Sequence, residues 1–257
     1  MMLEIIMKEL ESKTLNRRQI LAGAAQFGLG IAAAGLLAGC GGSGTTTTST
    51  NNDEAILGAA KIAEALAVTM YTGIINDAPF FATLSTSNQA YLTAARDEEK
   101  FHYDLLKRAT GGVDAQLDYH FPTGMFTDVS VTINTLVTLE DAFIAAYLVG
   151  VKDLSTPALR VLAAQIMGIE SDHRTLGRII GDDLGLSTIT GLSGTPESVD
   201  PPNNSVYERT YGLTNISQVV AALTPFLSAS AANSVAKTFN PNLVPDNTGL
   251  YPKPANG

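Results

Sequence analysis

From residue 54 onward the chain is built of four long stretches in which apolar residues recur every three to four positions. That spacing is the signature of amphipathic helices. The first is expected over 54–75, behind Asn52 and Asp53 as a capping signal, with Leu57, Ala60, Ala67, Val68, Tyr71 and Ile74 on its apolar face. The second is expected over 87–109, with Leu92, Ala95, Leu105 and Leu106 inward, and it ends at Gly111-Gly112. The third spans 128–151, carrying Ile133, Leu136, Val137, Phe143, Ile144 and Tyr147. The fourth spans 156–180 and opens on Ser155-Thr156-Pro157, a cap followed by proline in the first turn, with Leu159, Leu162, Ile166, Ile169, Leu176 and Ile180 inward.

Each apolar face is interrupted near its midpoint by residues of metal-ligand type: Glu64, then Glu99 with His102, then Glu140, then Glu170 with His173. A Glu and a His three residues apart share one helix face, one turn above the other. Of the three histidines in the chain, two sit in this Glu-x-x-His pattern. Tyr71 follows Glu64 by seven residues and Tyr147 follows Glu140 by seven, so the order Glu-x6-Tyr, Glu-x2-His occurs twice. A helical hairpin repeated with two-fold symmetry is what such an echo describes. Four bare carboxylates in one bundle core are costly unless cations lie between them. Two divalent ions supply four positive charges against four negative ones, and two neutral imidazoles complete the coordination.

Connection lengths set the topology. About ten residues join the first two helices and about four join the last two, so each pair is an antiparallel hairpin. Residues 111–127 show no periodicity. Extended, they reach about 55 Å, farther than the ~35 Å length of a 23-residue helix. The connection can therefore cross the whole bundle and leave the second and third helices parallel.

At this point the chain resembles the ferritin-like di-iron carboxylate superfamily, which includes bacterioferritins, rubrerythrins and manganese catalases, and within it the bacterial exported ferritin-like proteins. The resemblance covers residues 54–180 and implies an all-α, ferritin-like four-helix bundle. It further implies that Glu99 and Glu170 bridge two metal ions. Glu64 and His102 would complete one ion's coordination and Glu140 and His173 the other's, with Tyr71 beside the site as a catalytic candidate. The implied cofactor is two iron ions, with manganese as the alternative. The lipid anchor, tether and C-terminal extension described next are not features of storage cages.

Residues 1–39 read as a targeting segment rather than as fold. Asn16-Arg17-Arg18-Gln19-Ile20-Leu21 resembles a twin-arginine export signal, and an apolar Gly/Ala-rich run leads to Leu37-Ala38-Gly39-Cys40, which resembles a bacterial lipobox. The other reading of that run is an uncleaved membrane helix. On the lipoprotein reading Cys40, the only cysteine, is lipidated and anchors the chain to a membrane at the cell envelope, facing the periplasm or exterior. Residues 40–52 are then a Gly/Ser/Thr tether, 53–181 the bundle, and 182–257 a C-terminal extension packed on it. Within the extension, short helices are expected over 216–227 and 231–238, and no chemistry is evident. A homodimer is a further expectation.

The formal charge of −9 argues against nucleic acid as a partner. The chain carries no phosphate-binding glycine loop, no Cys-x-x-Cys and no Gly-x-Ser-x-Gly. Glu98 and Asp172 are read as surface residues or as partners behind the ligands, and His120 as a plain loop residue. Two functions remain open: a redox enzyme oxidising Fe(II) with O2 or peroxide (catalase-like if manganese is bound), or a non-catalytic envelope protein for stress or desiccation tolerance or metal sequestration.

Overall fold

The computed structural model describes residues 48–111, 117–199 and 213–244. The signal expected over residues 1–39, Cys40 and the expected tether as far as residue 47 lie outside the described residues. Four long helices dominate: α1 (Thr48–Asp77), α2 (Thr86–Ala109), α3 (Val129–Asp153) and α4 (Pro157–Asp183).

Three of the four starts follow local side-chain chemistry. Ser85 accepts from the Asn88 N–H at 3.1 Å, Asp128 from Val131 at 3.1 Å and Thr156 from Leu159 at 3.3 Å, with Pro157 preset for the first turn. The start of α1 departs from expectation, since the helix begins at Thr48 and runs through Asn52 and Asp53. Asp53 instead accepts from the backbone N–H of Ser155 at 2.8 Å and from its hydroxyl. The carboxylate thereby satisfies the chain at the start of α4, and it ties the N-terminal parts of α1 and α4 together.

The closest helix pairings are α1 with α2 and α3 with α4, the two hairpins. Hydrogen bonds from Tyr71 on α1 to Glu140 on α3, and from Tyr147 on α3 to Glu64 on α1, require α1 and α3 to run in opposite directions. With α2 antiparallel to α1, α2 and α3 are parallel, as the long connection allows. The core of the bundle is continuous, from Leu57, Leu66 and Ile74 through Leu92 and Leu106 to Leu136, Phe143, Ile166 and Ile180. Both α1 and α3 are long and apolar enough to cross a membrane, and both are largely buried inside the bundle.

Residues 118–122 are not featureless loop. They form a strand, β1 (Asp118–Pro122), paired antiparallel with β4 (Asn233–Thr238), with Tyr119 opposite Lys237 and His120 opposite Ala236. The helix expected over 231–238 is therefore a strand. Its burial alternates residue by residue, a period of two that no helix can use, and β1 supplies the ladder that so short a segment needs. This pair is pinned to α1 by Tyr119, whose hydroxyl donates to the Ile62 carbonyl at 2.8 Å, and by Lys237 on Asp77 at 2.8 Å. A second small ladder joins β2 (Thr188–Ile189) to β3 (Glu197–Ser198). The helix expected over 216–227 is present as α5 (Ile216–Leu223) with a 3-10 turn over Thr224–Phe226, and it lies across α3 and α1.

Candidate metal centre

Glu64, Glu99, His102, Glu140, Glu170 and His173 meet in one layer of the bundle. Their relative exposures run from 0% to 5%, so water does not solvate their charges. Two overlapping groups are formed: Glu64, Glu99, His102 and Glu170 in one, and Glu99, Glu140, Glu170 and His173 in the other, each with ligand atoms all within 4.8 Å of one another. Glu99 and Glu170, facing residues of α2 and α4, belong to both groups. Glu64 and His102 belong only to the first, and Glu140 and His173 only to the second.

His173 Nδ1 lies 2.9 Å from Glu99, whereas around His102 the spacing is wider than that of hydrogen bonds. His102 Nδ1 stands 3.6 Å from Glu64, 3.5 Å from Glu99 and 3.4 Å from Glu170, beyond good hydrogen-bond length. Two donors bound to one ion at about 2.0–2.2 Å lie about 3–3.5 Å from each other. Glu64 Oε2, Glu99 Oε2, Glu140 Oε2, both oxygens of Glu170 and His102 Nδ1 are buried without a hydrogen-bond partner. Buried polar atoms are normally satisfied, and six such atoms gathered in one layer are a donor set suited to holding cations. The donor set, carboxylates with imidazole in two overlapping groups, fits metal ions.

Without metal, protons carry part of this load. Burial, reinforced by the charges of Glu99 and Glu170, pushes the Glu64 carboxyl well above the usual range. Burial and the charge of Glu99 do the same to Glu140. Burial would also raise Glu99, but His102 and His173 beside it override that and hold it well below the usual range. Both histidines are held protonated well above their ordinary value: burial opposes this, and the carboxylates of Glu170, Glu64 and Glu99 around His102, and of Glu170, Glu98 and Glu99 around His173, outweigh it.

The surroundings are arranged in two ways. The tyrosines serve the opposite hairpin, Tyr71 donating to Glu140 at 2.6 Å and Tyr147 to Glu64. Tyr71 thus stands beside the site and holds one terminal carboxylate, its ring edge-on to His173 with centroids 5.8 Å apart. Burial, then the Glu140 charge, pushes its phenol well above the usual value, so it keeps its proton. Among the described residues the second arrangement has no counterpart in the other half. Glu98 accepts from His173 Nε2 at 2.9 Å, leaving Nδ1 facing Glu99 at 2.9 Å and Glu170 at 3.3 Å. A carboxylate behind a ligand histidine fixes its tautomer and ring orientation. Asp172 is exposed and takes no part, and His120 lies on β1, outside both groups.

One contribution comes from the extension, which the sequence reading leaves without chemistry. Arg174, next to His173, is buried between Asp141, next to Glu140, and Glu197 on β3. Asp141 also accepts from the Leu192 N–H at 3.0 Å. The chain after α4 is therefore clamped to α3 and α4 immediately behind two ligands. A buried Arg one residue from a ligand His, with an Asp one residue from a ligand Glu, was the signal in the sequence for this clamp.

Residues 52–180 match the ferritin-like domain family. No curated protein and no solved structure matches the chain.

Proposed function

Because this chain belongs to the ferritin-like domain family, we propose that its buried layer holds a pair of redox-active ions, iron ahead of manganese, and that the protein oxidises Fe(II). The observation that carries this reading is the set of six unpartnered ligand atoms confined to the layer. Glu99 and Glu170 would bridge, Glu64 with His102 would complete one position, and Glu140 with His173 the other. Two irons held by these residues would supply two one-electron oxidations, 2 Fe(II) to 2 Fe(III), whose electrons with two protons would reduce one dioxygen to hydrogen peroxide.

The protein's own groups prepare this chemistry. Binding displaces the protons that Glu64, Glu140 and the two histidines hold in the metal-free site. Tyr71 and Tyr147 orient the terminal carboxylates, and Tyr71 is the proposed catalytic side chain, a buried protonated phenol that donates its hydrogen bond to Glu140. Glu98 orients His173. Burial on all sides keeps bulk water away and preserves the strength of these electrostatic interactions.

Export and anchoring belong to the same proposal, supported by Asn16-Arg17-Arg18 and by Leu37-Ala38-Gly39-Cys40: a lipid on Cys40 would hold the bundle at the bacterial envelope. The test is anaerobic loading with two equivalents of Fe(II), followed by dioxygen or by peroxide. Rapid oxidation with a transient visible band, lost in Glu99→Ala and Glu170→Ala, supports the enzyme. Oxidation no faster than in buffer overturns it and leaves the non-catalytic envelope protein.

A further inference from the structure

Directly beyond the metal layer, toward the end where α1 and α4 begin, the bundle leaves an apolar pocket of about 30 Å³. Every helix lines it within a turn of its own ligand: Ala60 four residues before Glu64, Leu106 four after His102, Phe143 three after Glu140, and Ile166 four before Glu170. Tyr147 joins cavity and metal layer: it lines the cavity, and its hydroxyl donates to Glu64. The extension adds Ile216 and Val219 of α5 to the wall.

The opposite side of the layer shows that a void is not a necessity of the repeat. There Leu136 packs over Gly177 and Phe126 over Gly73 so closely that a Cβ on either glycine would overlap them. An unfilled volume forfeits dispersion contacts, so one beside the reactive layer calls for an occupant. Its volume exceeds the roughly 10–15 Å³ that a water requires, but a buried water also needs two to four polar partners. The walls are aliphatic and aromatic, and the one hydroxyl among them spends its proton on Glu64. Hydrogen peroxide, with two O–H donors, is excluded on the same ground. A small apolar diatomic needs no partner and fits.

We propose that this cavity seats dioxygen, joined by Tyr147 to the carboxylate layer, and so selects dioxygen over peroxide as the oxidant. The inference rests on the oxidase reading above, but the seat itself is testable without metal. Xenon is the probe, a polarisable apolar atom, applied to the metal-free full chain in pressurised crystals or by 129Xe NMR. One xenon against Ala60 and Tyr147 is expected, and Ala60→Leu, which fills the space, should expel it. In the Fe(II)-loaded protein the same variant should raise the KM for dioxygen about threefold or more while leaving kcat at saturating dioxygen near its original value. Oxidation by peroxide should not change. Absence of xenon from the unaltered protein overturns the inference, and this measurement needs no variant to fold. Loss of xenon in Ala60→Leu with an unchanged dependence on dioxygen overturns it as well. A protein that seats xenon and oxidises nothing retains the gas site and refutes the oxidase reading instead.

Discussion

Tyr71 reaches across the bundle to donate a 2.6 Å hydrogen bond to Glu140, the residue that occupies in the second hairpin the place of Glu64 in its own. Tyr147 returns the contact to Glu64. The repeat Glu-x6-Tyr is therefore completed between hairpins, not within them, and each half of the site depends on the other half's tyrosine.

This reciprocity predicts where each loss is felt. Tyr71→Phe should weaken metal binding about tenfold at the position formed by Glu140 and His173, and Tyr147→Phe at that formed by Glu64 and His102. Each leaves one more buried carboxylate oxygen without a donor, costing the metal-free protein about 1–3 kcal/mol. Site-resolved occupancy from anomalous diffraction at limiting metal separates the two positions. Weakening on the tyrosine's own side of the repeat would show that the cross-bundle bonds do not govern affinity.

The carboxylates should divide into two classes. Glu99→Ala and Glu170→Ala remove a member of both groups and should leave no tightly bound ion, whereas Glu64→Ala and Glu140→Ala should leave one. Without metal the order of merit inverts. Glu64→Gln and Glu140→Gln replace a carboxyl that must take up a proton on burial with a side chain that is neutral without one, and should raise the melting temperature by several degrees, equivalent to about 1–2 kcal/mol. Metal content per chain and calorimetry check the two halves of this statement. Equal losses of metal in all four alanine variants would contradict the sharing of Glu99 and Glu170.

The proton load predicts a pH dependence with a definite sign. Glu64, Glu140, His102 and His173 all bind protons more tightly in the folded metal-free protein than in the unfolded chain. Their contribution is complete below the unfolded values, about 4.3 for Glu and 6.5 for His, and is lost as pH rises through the raised native values. Glu99 has the opposite shift, and its contribution is lost only as pH falls below the ordinary carboxylate range. Metal-free protein should thus lose melting temperature as pH rises above about 6.5, and loaded protein should not. Metal uptake in weak buffer should release protons. A metal-free melting temperature that climbs across this window would refute the assignment.

Glu98 gives the site an asymmetry. Glu98→Ala frees His173 Nε2 and should lower affinity at the Glu140–His173 position by roughly 10–100-fold, leaving the other position near its original strength. Stepwise binding isotherms should therefore spread further apart in this variant. A uniform loss at both positions would mean that Glu98 acts on the bundle as a whole.

The features legible in the sequence are those written in a helical period. Glu64, Glu99, Glu140 and Glu170 interrupt apolar faces, so their convergence follows once the faces pack together, and the hairpin topology follows from loop lengths. The partner of each tyrosine was not legible, because Glu64–Tyr71 and Glu140–Tyr147 look like pairs along one helix when the contacts join different helices. Glu98 lies on the edge of its helix, where exposed and ligand-supporting carboxylates have the same pattern. The strand at Asn233–Thr238 depends on pairing with Asp118–Pro122 more than a hundred residues earlier, and no local propensity announces such a pairing. Asp53 reads as a cap and serves instead a backbone N–H a hundred residues away at Ser155, again a tertiary use of a local signal.

The most direct measurement is anomalous diffraction from crystals loaded anaerobically with Fe(II). Two peaks are expected in the single layer between Glu99 and Glu170, one beside Glu64 and His102 and one beside Glu140 and His173. A lone peak, or ions bound only at the acidic surface, would contradict the dinuclear centre and every function built on it.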